Sequence, residues 1–316
     1  MNIVIEINHL FKKFGSTVAL NDVTFSVAKG QVFGYLGPNG AGKTTTIRIM
    51  VGLLKPDSGL VRLLGEDPYD DNPKSLEARN KIGVVLESPG HFFYATVYRN
   101  LVYHARIHRL GNVEERVSHL LKQFDLWERR NDLVNTLSKG MMQKLAIARS
   151  LLHDPEVLIF DEPTAGLDPN AQFEIRNLIR EFAKSGKTVF LSSHNLSEVQ
   201  EICSHVAIIN KGSIVAWDEL KKLRETYAKP VVYVTFPSEA AKNSENLRKI
   251  CENIKELRFV KNCETEGEAL RVELEDFRFS YKLNEFLVKK KLPVLELRKV
   301  TYSLEDLYSS VVKKSG

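Results

Sequence analysis

The residues with the clearest chemistry in this chain are Gly37-Pro38-Asn39-Gly40-Ala41-Gly42-Lys43-Thr44-Thr45. Small and turn-forming residues lead into a Lys-Thr pair, and a helix is expected from there, along Thr46-Ile47-Arg48-Ile49-Met50. The preceding run, Gln31-Val32-Phe33-Gly34-Tyr35-Leu36, reads as a buried strand. Strand, glycine-rich loop, Lys-Thr and helix is the setting in which such a loop cradles a nucleoside triphosphate. Glycines let backbone N–H groups turn inward on a phosphate, and the helix N-terminus adds partial positive charge. Lys43 supplies a full charge to the β and γ oxygens, and the Thr44 hydroxyl is a ligand for Mg²⁺. An ordinary glycine turn before a helix is the plain alternative, and the complete pattern in context argues against it.

Many unrelated chains carry such a loop, so the discriminating residues lie downstream. Phe160-Asp161-Glu162-Pro163 ends a continuous apolar strand with two adjacent carboxylates. Asp161 is placed to hold Mg²⁺ through water, and Glu162 to polarise an attacking water. Upstream, Leu137-Ser138-Lys139-Gly140-Met141-Met142-Gln143 offers a hydroxyl and free N–H groups at a helix start, a second phosphate contact. One nucleotide needs one cradle, so the second makes sense if it serves a nucleotide held by another copy. Ala165-Gly166-Leu167-Asp168 and a lone histidine, His194, follow. A guanine-specific NTPase would want Asn-Lys-x-Asp, but Asn210-Lys211-Gly212-Ser213 ends in serine.

The elements that must position these residues alternate. Residues 1–30 suggest antiparallel strands turning at Phe14-Gly15-Ser16, and short strands are expected at 60–64 and 82–86. The pattern is helical from Val97 to Leu126, with breaks near Gly111 and Asn112. Val157-Leu158-Ile159-Phe160 and Thr188-Val189-Phe190-Leu191-Ser192 read as buried parallel strands around a helix from about Ala171 to Lys184. This is an α/β domain over 1–220, with a helical insertion at about 95–150. Beyond it, strand 231–236, helix 239–253, strands 257–263 and 269–275, helix 277–291, strand 293–299 and helix 303–313 are expected. The order βαββαβ marks 221–316 as a small ferredoxin-like α+β domain.

Taken together, Gly37–Thr45, Leu137–Gln143, Asp161-Glu162, Ala165–Asp168 and His194 resemble the ATP-binding-cassette (ABC) ATPases. The resemblance covers about residues 1–220. It implies a P-loop ABC ATPase fold, with a mixed sheet, an antiparallel β subdomain and a helical subdomain. It implies ATP with Mg²⁺, and a head-to-tail dimer, here a homodimer, that closes on two ATP molecules. Carried over by motif, Gly37, Pro38, Asn39, Gly40, Ala41, Gly42, Lys43, Thr44 and Thr45 bind the nucleotide, and Asp161 positions the metal. Glu162 is the general base and His194 contacts the γ-phosphate. Ser138, Lys139, Gly140 and Met141 act across the dimer, and Asp168 ties the two sites together. Phe14 falls where the family stacks an aromatic ring on adenine, with core packing as its alternative. Two departures stand out: Lys139 replaces a signature glycine, and Glu87 stands where a glutamine usually touches the metal and the membrane partner.

Leu86-Glu87-Ser88-Pro89-Gly90, the Ser-Lys-Gly-Met signature and the C-terminal Thr301–Leu307 stretch resemble the branch that serves ABC-2-type membrane subunits, bacitracin- and lantibiotic-resistance exporters among them. That branch implies integral membrane permease subunits as partners and a cytoplasmic ATPase peripheral on the inner face of the membrane. Phe92-Phe93-Tyr94 would then offer an apolar cleft to a short helix of the permease, with core packing as the alternative. The rival readings are an importer subunit and a soluble ABC protein acting on ribosomes or DNA.

Composition sets the outer bounds. The 316 residues suit two domains, and 43% hydrophobic residues suffice for globular cores. No window holds 18 consecutive apolar residues, and the N-terminus lacks a basic flank and cleavage site. Three scattered cysteines suit a reducing compartment. The net charge of +5 resides in 221–316, with 20 basic against 15 acidic residues, while 1–220 balances at 25 each. Nothing there is built to wrap nucleic acid. Lys289-Lys290-Lys291 suits a helix C-terminus. His104 and His108, four apart on a helix, lack the carboxylate a metal pair would want.

Overall fold

Two ribbons of alternating apolar residues, β1 (Ile3–Phe14) and β2 (Thr17–Ala28), pair antiparallel, and β4 (Ser58–Leu63) pairs with β1 on its other edge. The structure, a computed structural model, describes residues 2–227, 230–237, 244–300 and 308. The described residues divide after Leu223 into two units.

The first unit is centred on β3 (Val32–Leu36), β5 (Ile82–Val85), β6 (Val157–Asp161), β7 (Thr188–Ser193), β8 (His205–Asn210) and β9 (Ser213–Glu219). They form one sheet in the order β5-β6-β7-β3-β8-β9, parallel throughout except for the β8–β9 hairpin. Every residue of β3, β6 and β7 is buried, which explains their unbroken apolar character: a parallel strand is covered on both faces. The chain leaves β3 for the far edge at β5, works back to β7, then crosses to β8. That reversal opens a crevice beyond the carboxyl ends of the strands, beside β3.

Between β2 and the parallel sheet, Phe25, Phe33, Tyr35 and Phe190 stack with ring centroids 5.3–6.0 Å apart. All four are buried, each worth about 1.5–3 kcal/mol of transfer free energy. Burial also holds the Tyr35 phenol protonated well above its usual range, and its hydroxyl meets Thr46 Oγ1 at 3.1 Å. The core therefore reaches from the sheet into α1 (Lys43–Met50), the helix after the glycine loop. That helix starts three residues before the expected Thr46, because the turn completed at Gly42 already sets Lys43 in helical geometry.

α2 (Pro73–Arg79) precedes β5; α3 (Val97–Ile107), α4 (Val113–Gln123) and α5 (Lys139–Ser150) occupy the insertion between β5 and β6. α6 (Pro169–Lys184) joins β6 to β7, and α7 (Leu196–Ile202) joins β7 to β8. α8 (Leu220–Tyr227) follows β9 along the chain.

The second unit contains β10 (Val231–Thr235), α9 (Ser244–Lys255), β11 (Val260–Glu266), β12 (Ala269–Leu274), α10 (Ser280–Lys289) and β13 (Glu296–Lys299). Its sheet order β11-β12-β10-β13, with every pair antiparallel, is that of a ferredoxin-like split fold. Several boundaries differ from the sequence reading, among them the strand expected at 293–299, which is confined to Glu296–Lys299. The strand expected at 257–263 runs over 260–266, since Leu257 and Val260 N–H groups are engaged in turns closing α9. Phe277–Phe279 is a 3₁₀ turn set by Asp276 accepting Arg278 N–H at 2.8 Å, so α10 starts only at Ser280. The beginning of the 239–253 helix, the 301–307 stretch and all of the 303–313 helix except Tyr308 lie outside the described residues.

Candidate functional site

Register brings the chemistry together. Leu36 of β3 is opposite Ser193 of β7, Asp161 of β6 is opposite Ser192, and Val85 of β5 is opposite Phe160. Four parallel strands thus deliver Gly37, Glu87, Asp161-Glu162 and Ser193-His194 to one end of the sheet. At that end lies a cleft of about 590 Å³, whose walls include Asn39, Gly40, Gly42, Lys43, Thr44 and Thr45. Glu87, Glu162 and His194 also line it, as do Thr17, Val18 and Ala19 from the start of β2.

The glycine loop is shaped by contacts no side chain would survive. A methyl group at Gly37 would sit 2.4 Å from the Ile209 carbonyl oxygen, because the loop leaves the sheet pressed against β8. Gly42 has φ +110°, a conformation that costs L side chains dearly, and a methyl there would meet Leu20 and the Ala19 carbonyl. The loop is also braced from outside by Gly212 N–H, which donates to the Ala41 carbonyl at 3.0 Å. Asn210-Lys211-Gly212-Ser213 is therefore the β8–β9 turn, with positive φ at Lys211 and Gly212, and it acts as a buttress.

Lys43 is 6% exposed, and its ammonium donates to the Gly37 carbonyl at 2.7 Å and the Pro38 carbonyl at 3.1 Å. The same ammonium lies 3.1 Å from Glu162 Oε1, while Glu162 Oε2 meets His194 Nδ1 at 2.8 Å. Lysine, carboxylate and imidazole therefore form one chain along the cleft. Glu162 stands at φ +51°, a strained setting for a non-glycine residue, and its N–H is held by Ser192 Oγ at 2.9 Å. Ser192 Oγ in turn donates to Asp161 Oδ1 at 2.6 Å. Asp161 Oδ2 is buried and has no hydrogen-bond donor among the described residues. A buried carboxylate oxygen left without a donor fits a divalent cation. No group of three or more His, Cys, Asp or Glu able to hold a metal exists among the described residues. The Thr44 hydroxyl and the Asp161 carboxylate are hard oxygen donors of the kind Mg²⁺ takes, one or two from protein with phosphate and water completing the shell.

The remaining residues are placed elsewhere. Phe14 is half exposed at the tip of the β1–β2 hairpin, with Lys12 Nζ 5.5 Å from its ring centroid, so it is not core. Ser138 caps α5, its Oγ accepting Met141 N–H at 3.2 Å, and Lys139, Gly140 and Met141 form the first turn. Asp168 caps α6 by accepting Ala171 N–H at 3.0 Å. None of Ser138–Met141 or Asp168 lines the cleft that holds Lys43. The loop after Glu87 is clamped to α5 at both ends: His91 Nε2 meets the Met142 carbonyl at 3.0 Å, and Arg149 donates to the Pro89 and Gly90 carbonyls. Phe92, Phe93 and Tyr94 are exposed, Tyr94 the most at 87%, so core packing does not account for them. His104 stacks on Phe92 and His108 on His153.

The family model for ABC transporters matches residues 20–165. The uncharacterised ABC transporter ATP-binding protein YhcH of Bacillus subtilis (strain 168) is 35% identical over 315 residues, 98% of this chain and 95% of that protein. The bacitracin transport ATP-binding protein BcrA of Bacillus licheniformis is 40% identical over 234 residues, 72% of this chain and 74% of its own length. The chain belongs to the ATP-binding proteins of ABC transporters. Among solved structures, a dimeric ATP-binding cassette in a post-hydrolysis state with ADP and Pi superposes with TM-score 0.62 at 25% identity. It covers 68% of this chain and 98% of its own. The ABC protein is an ATPase.

Sequence reasoning did not single out Ser192, Gly212 or Thr17–Ala19. Ser192 was legible only as the end of a strand, since its partners Asp161 and Glu162 lie about 30 positions away. Thr17–Ala19 had a weaker signal, in following the Phe14-Gly15 turn.

Proposed function

We propose that this ABC ATPase works as a pair of identical copies facing head to tail and drives export through separate integral membrane permease subunits of the ABC-2 type. The observation that carries the proposal is the separation of two phosphate-suited ends within one chain. Lys43 and the glycine loop line the cleft, whereas the Ser138 end of α5 does not. A second copy turned the other way supplies Ser138, Lys139, Gly140 and Met141 to the first copy's nucleotide, and Asp168 lies at the junction of the two sites. Export follows from the likeness to a bacitracin transport protein together with the exposed Phe92–Tyr94 segment beside Glu87, which offers a permease an apolar contact. Among the described residues no helix is long and apolar enough to cross a membrane, in keeping with a peripheral subunit on the cytoplasmic face.

Within each site the residues divide the work. Phe14 stacks on adenine, and loop N–H groups of Gly40, Gly42, Lys43, Thr44 and Thr45 hold the phosphates. Thr44 and Asp161 would hold Mg²⁺, with Glu87 as a further carboxylate on the cleft wall, and the ion would neutralise charge on the β and γ oxygens. An arriving triphosphate competes for Lys43 and so releases Glu162 Oε1, which then accepts a proton from the attacking water. His194 keeps Glu162 oriented through Nδ1 and presents its other ring nitrogen to the γ-phosphate.

Dilution tests the paired arrangement. ATPase rate per molecule should rise with protein concentration until the dimer saturates, and Ser138→Ala should abolish that rise. A rate per molecule that stays constant down to strictly monomeric protein overturns it.

A further inference from the structure

Behind the His194–Glu162 pair lies a carboxylate that no motif accounts for. Glu198, in the first turn of α7, is 2% exposed. Its Oε1 accepts the Thr164 hydroxyl at 2.8 Å and its Oε2 accepts the Ser193 hydroxyl at 2.7 Å. Thr164 is two residues beyond Glu162, and Ser193 immediately precedes His194. One side chain therefore ties the turn after the general base to the turn that carries the histidine. The Ser193 end is braced again: Asn195 N–H donates to Ser193 Oγ at 2.9 Å, while Asn195 Oδ1 accepts Glu198 N–H at 3.2 Å.

Burying a carboxylate this deeply is costly unless its lone pairs are met. Among the described residues no lysine, arginine or histidine forms an ion pair with Glu198; Arg176, whose charge acts on it, is engaged with Glu201 at 2.9 Å. Burial holds the Glu198 acid above the ordinary range, the Glu162 charge pushes the same way, and the two hydroxyls offset part of it. What the carboxylate provides is a fixed span between two hydroxyls on two loops, and those loops set where His194 Nδ1 meets Glu162 Oε2.

We propose that Glu198 is a positioning residue for hydrolysis, locking the Thr164 and Ser193 turns so that His194 and Glu162 meet in the productive orientation. The inference rests on the reading of Glu162 and His194 as the hydrolytic pair. Angstrom-scale misplacement of reacting groups costs up to about a hundredfold in rate.

The test uses the purified full chain with ATP and Mg²⁺, comparing kcat, KM and Tm. Glu198→Gln keeps the volume but turns an N–H₂ toward one of the two hydroxyls. It should lower kcat by roughly tenfold to a hundredfold, with KM for ATP within about twofold and ATP-dependent dimers retained. Thr164→Val should lower kcat in the same way, and Thr164→Ser should restore it, whether or not Glu198→Gln folds. Wild-type kcat in both Glu198→Gln and Thr164→Val overturns the proposal. So does a fall in Tm with kcat per folded molecule unchanged, which marks a purely structural acid. Glu162→Gln is measured alongside: wild-type turnover in that variant removes the hydrolytic pair itself and the positioning role with it. An inactive Glu162→Gln beside fully active Glu198→Gln and Thr164→Val removes the positioning role alone.

Discussion

Glu162→Gln separates binding from turnover. The Glu162 side chain is 10% exposed and sits between Lys43 Nζ at 3.1 Å and His194 Nδ1 at 2.8 Å. At an effective dielectric of about 20, unit charges at the Lys43 distance attract by about 5 kcal/mol, a ceiling that desolvation cuts down. The amide forfeits that attraction, but Lys43 is not stranded, since it still donates to the Gly37 and Pro38 carbonyls. The fold should therefore tolerate the change. ATP affinity should hold or rise, because one negative charge facing the triphosphate is gone and Lys43 no longer has to be drawn away from it. Turnover should fall by about 10²–10⁴-fold, the usual contribution of a general base, or about 3–5 kcal/mol of barrier. Phosphate release at saturating ATP measures the rate, and nucleotide titration with size-exclusion chromatography measures binding and ATP-dependent pairing. A variant that hydrolyses ATP within a few-fold of wild type refutes the assignment of the base. One that loses ATP altogether refutes the view that Lys43 and the loop bind independently of Glu162.

Gly37→Ala forces a methyl against the Ile209 carbonyl oxygen, backbone that cannot swing aside. It should cost about 1–3 kcal/mol, read as a drop of several degrees in Tm, and an unchanged Tm would show that the loop has room. Acid should weaken the fold earlier than carboxylates alone would. Burial, followed by the nearby Arg149 charge, lowers both His91 and His104 to about 4 from the usual 6.5. Between those values the unfolded chain binds protons that the folded chain refuses, so stability is complete above about pH 6.5 and is lost as pH falls toward 4. Melting curves should show that slope, and His104→Phe should flatten it; an identical slope in the variant argues against the histidine's part. Glu87→Gln removes an exposed carboxylate from the cleft rim and should leave ATP affinity within about threefold, whereas abolished affinity would make Glu87 a primary ligand.

How much of this was legible in the chain follows from the range over which each signal acts. Local patterns carried the glycine loop, the buried strands β3, β6 and β7, and the helix start at Ser138, because backbone demands there are met by neighbours in sequence. The ferredoxin-like order of the second unit was legible too, but its boundaries were not. Periodicity alone does not show that Asp276 captures Arg278 N–H, or that the end of α9 engages Leu257 and Val260. Phe14 and Phe92–Tyr94 are cases where residue type misleads, since aromatic side chains suit cores and surfaces alike and only the fold decides that these are exposed.

The site shows the same division more sharply. Asp161 and Glu162 declared themselves as an acidic pair, yet the residues that hold them, Ser192 from β7 and Lys43 from α1, reach them only through strand order β6-β7-β3. Asn210–Ser213 is the instructive reversal: a stretch that resembles a base-reading motif is a hairpin turn whose Gly212 N–H props the phosphate loop from behind. Its positive φ at Lys211 and Gly212 is a turn requirement, and serine at the fourth position is simply the first residue of β9. Spacing identifies chemistry only where the residues also share an end of the sheet. In this chain the register of four parallel strands, more than any single motif, makes the cleft one site.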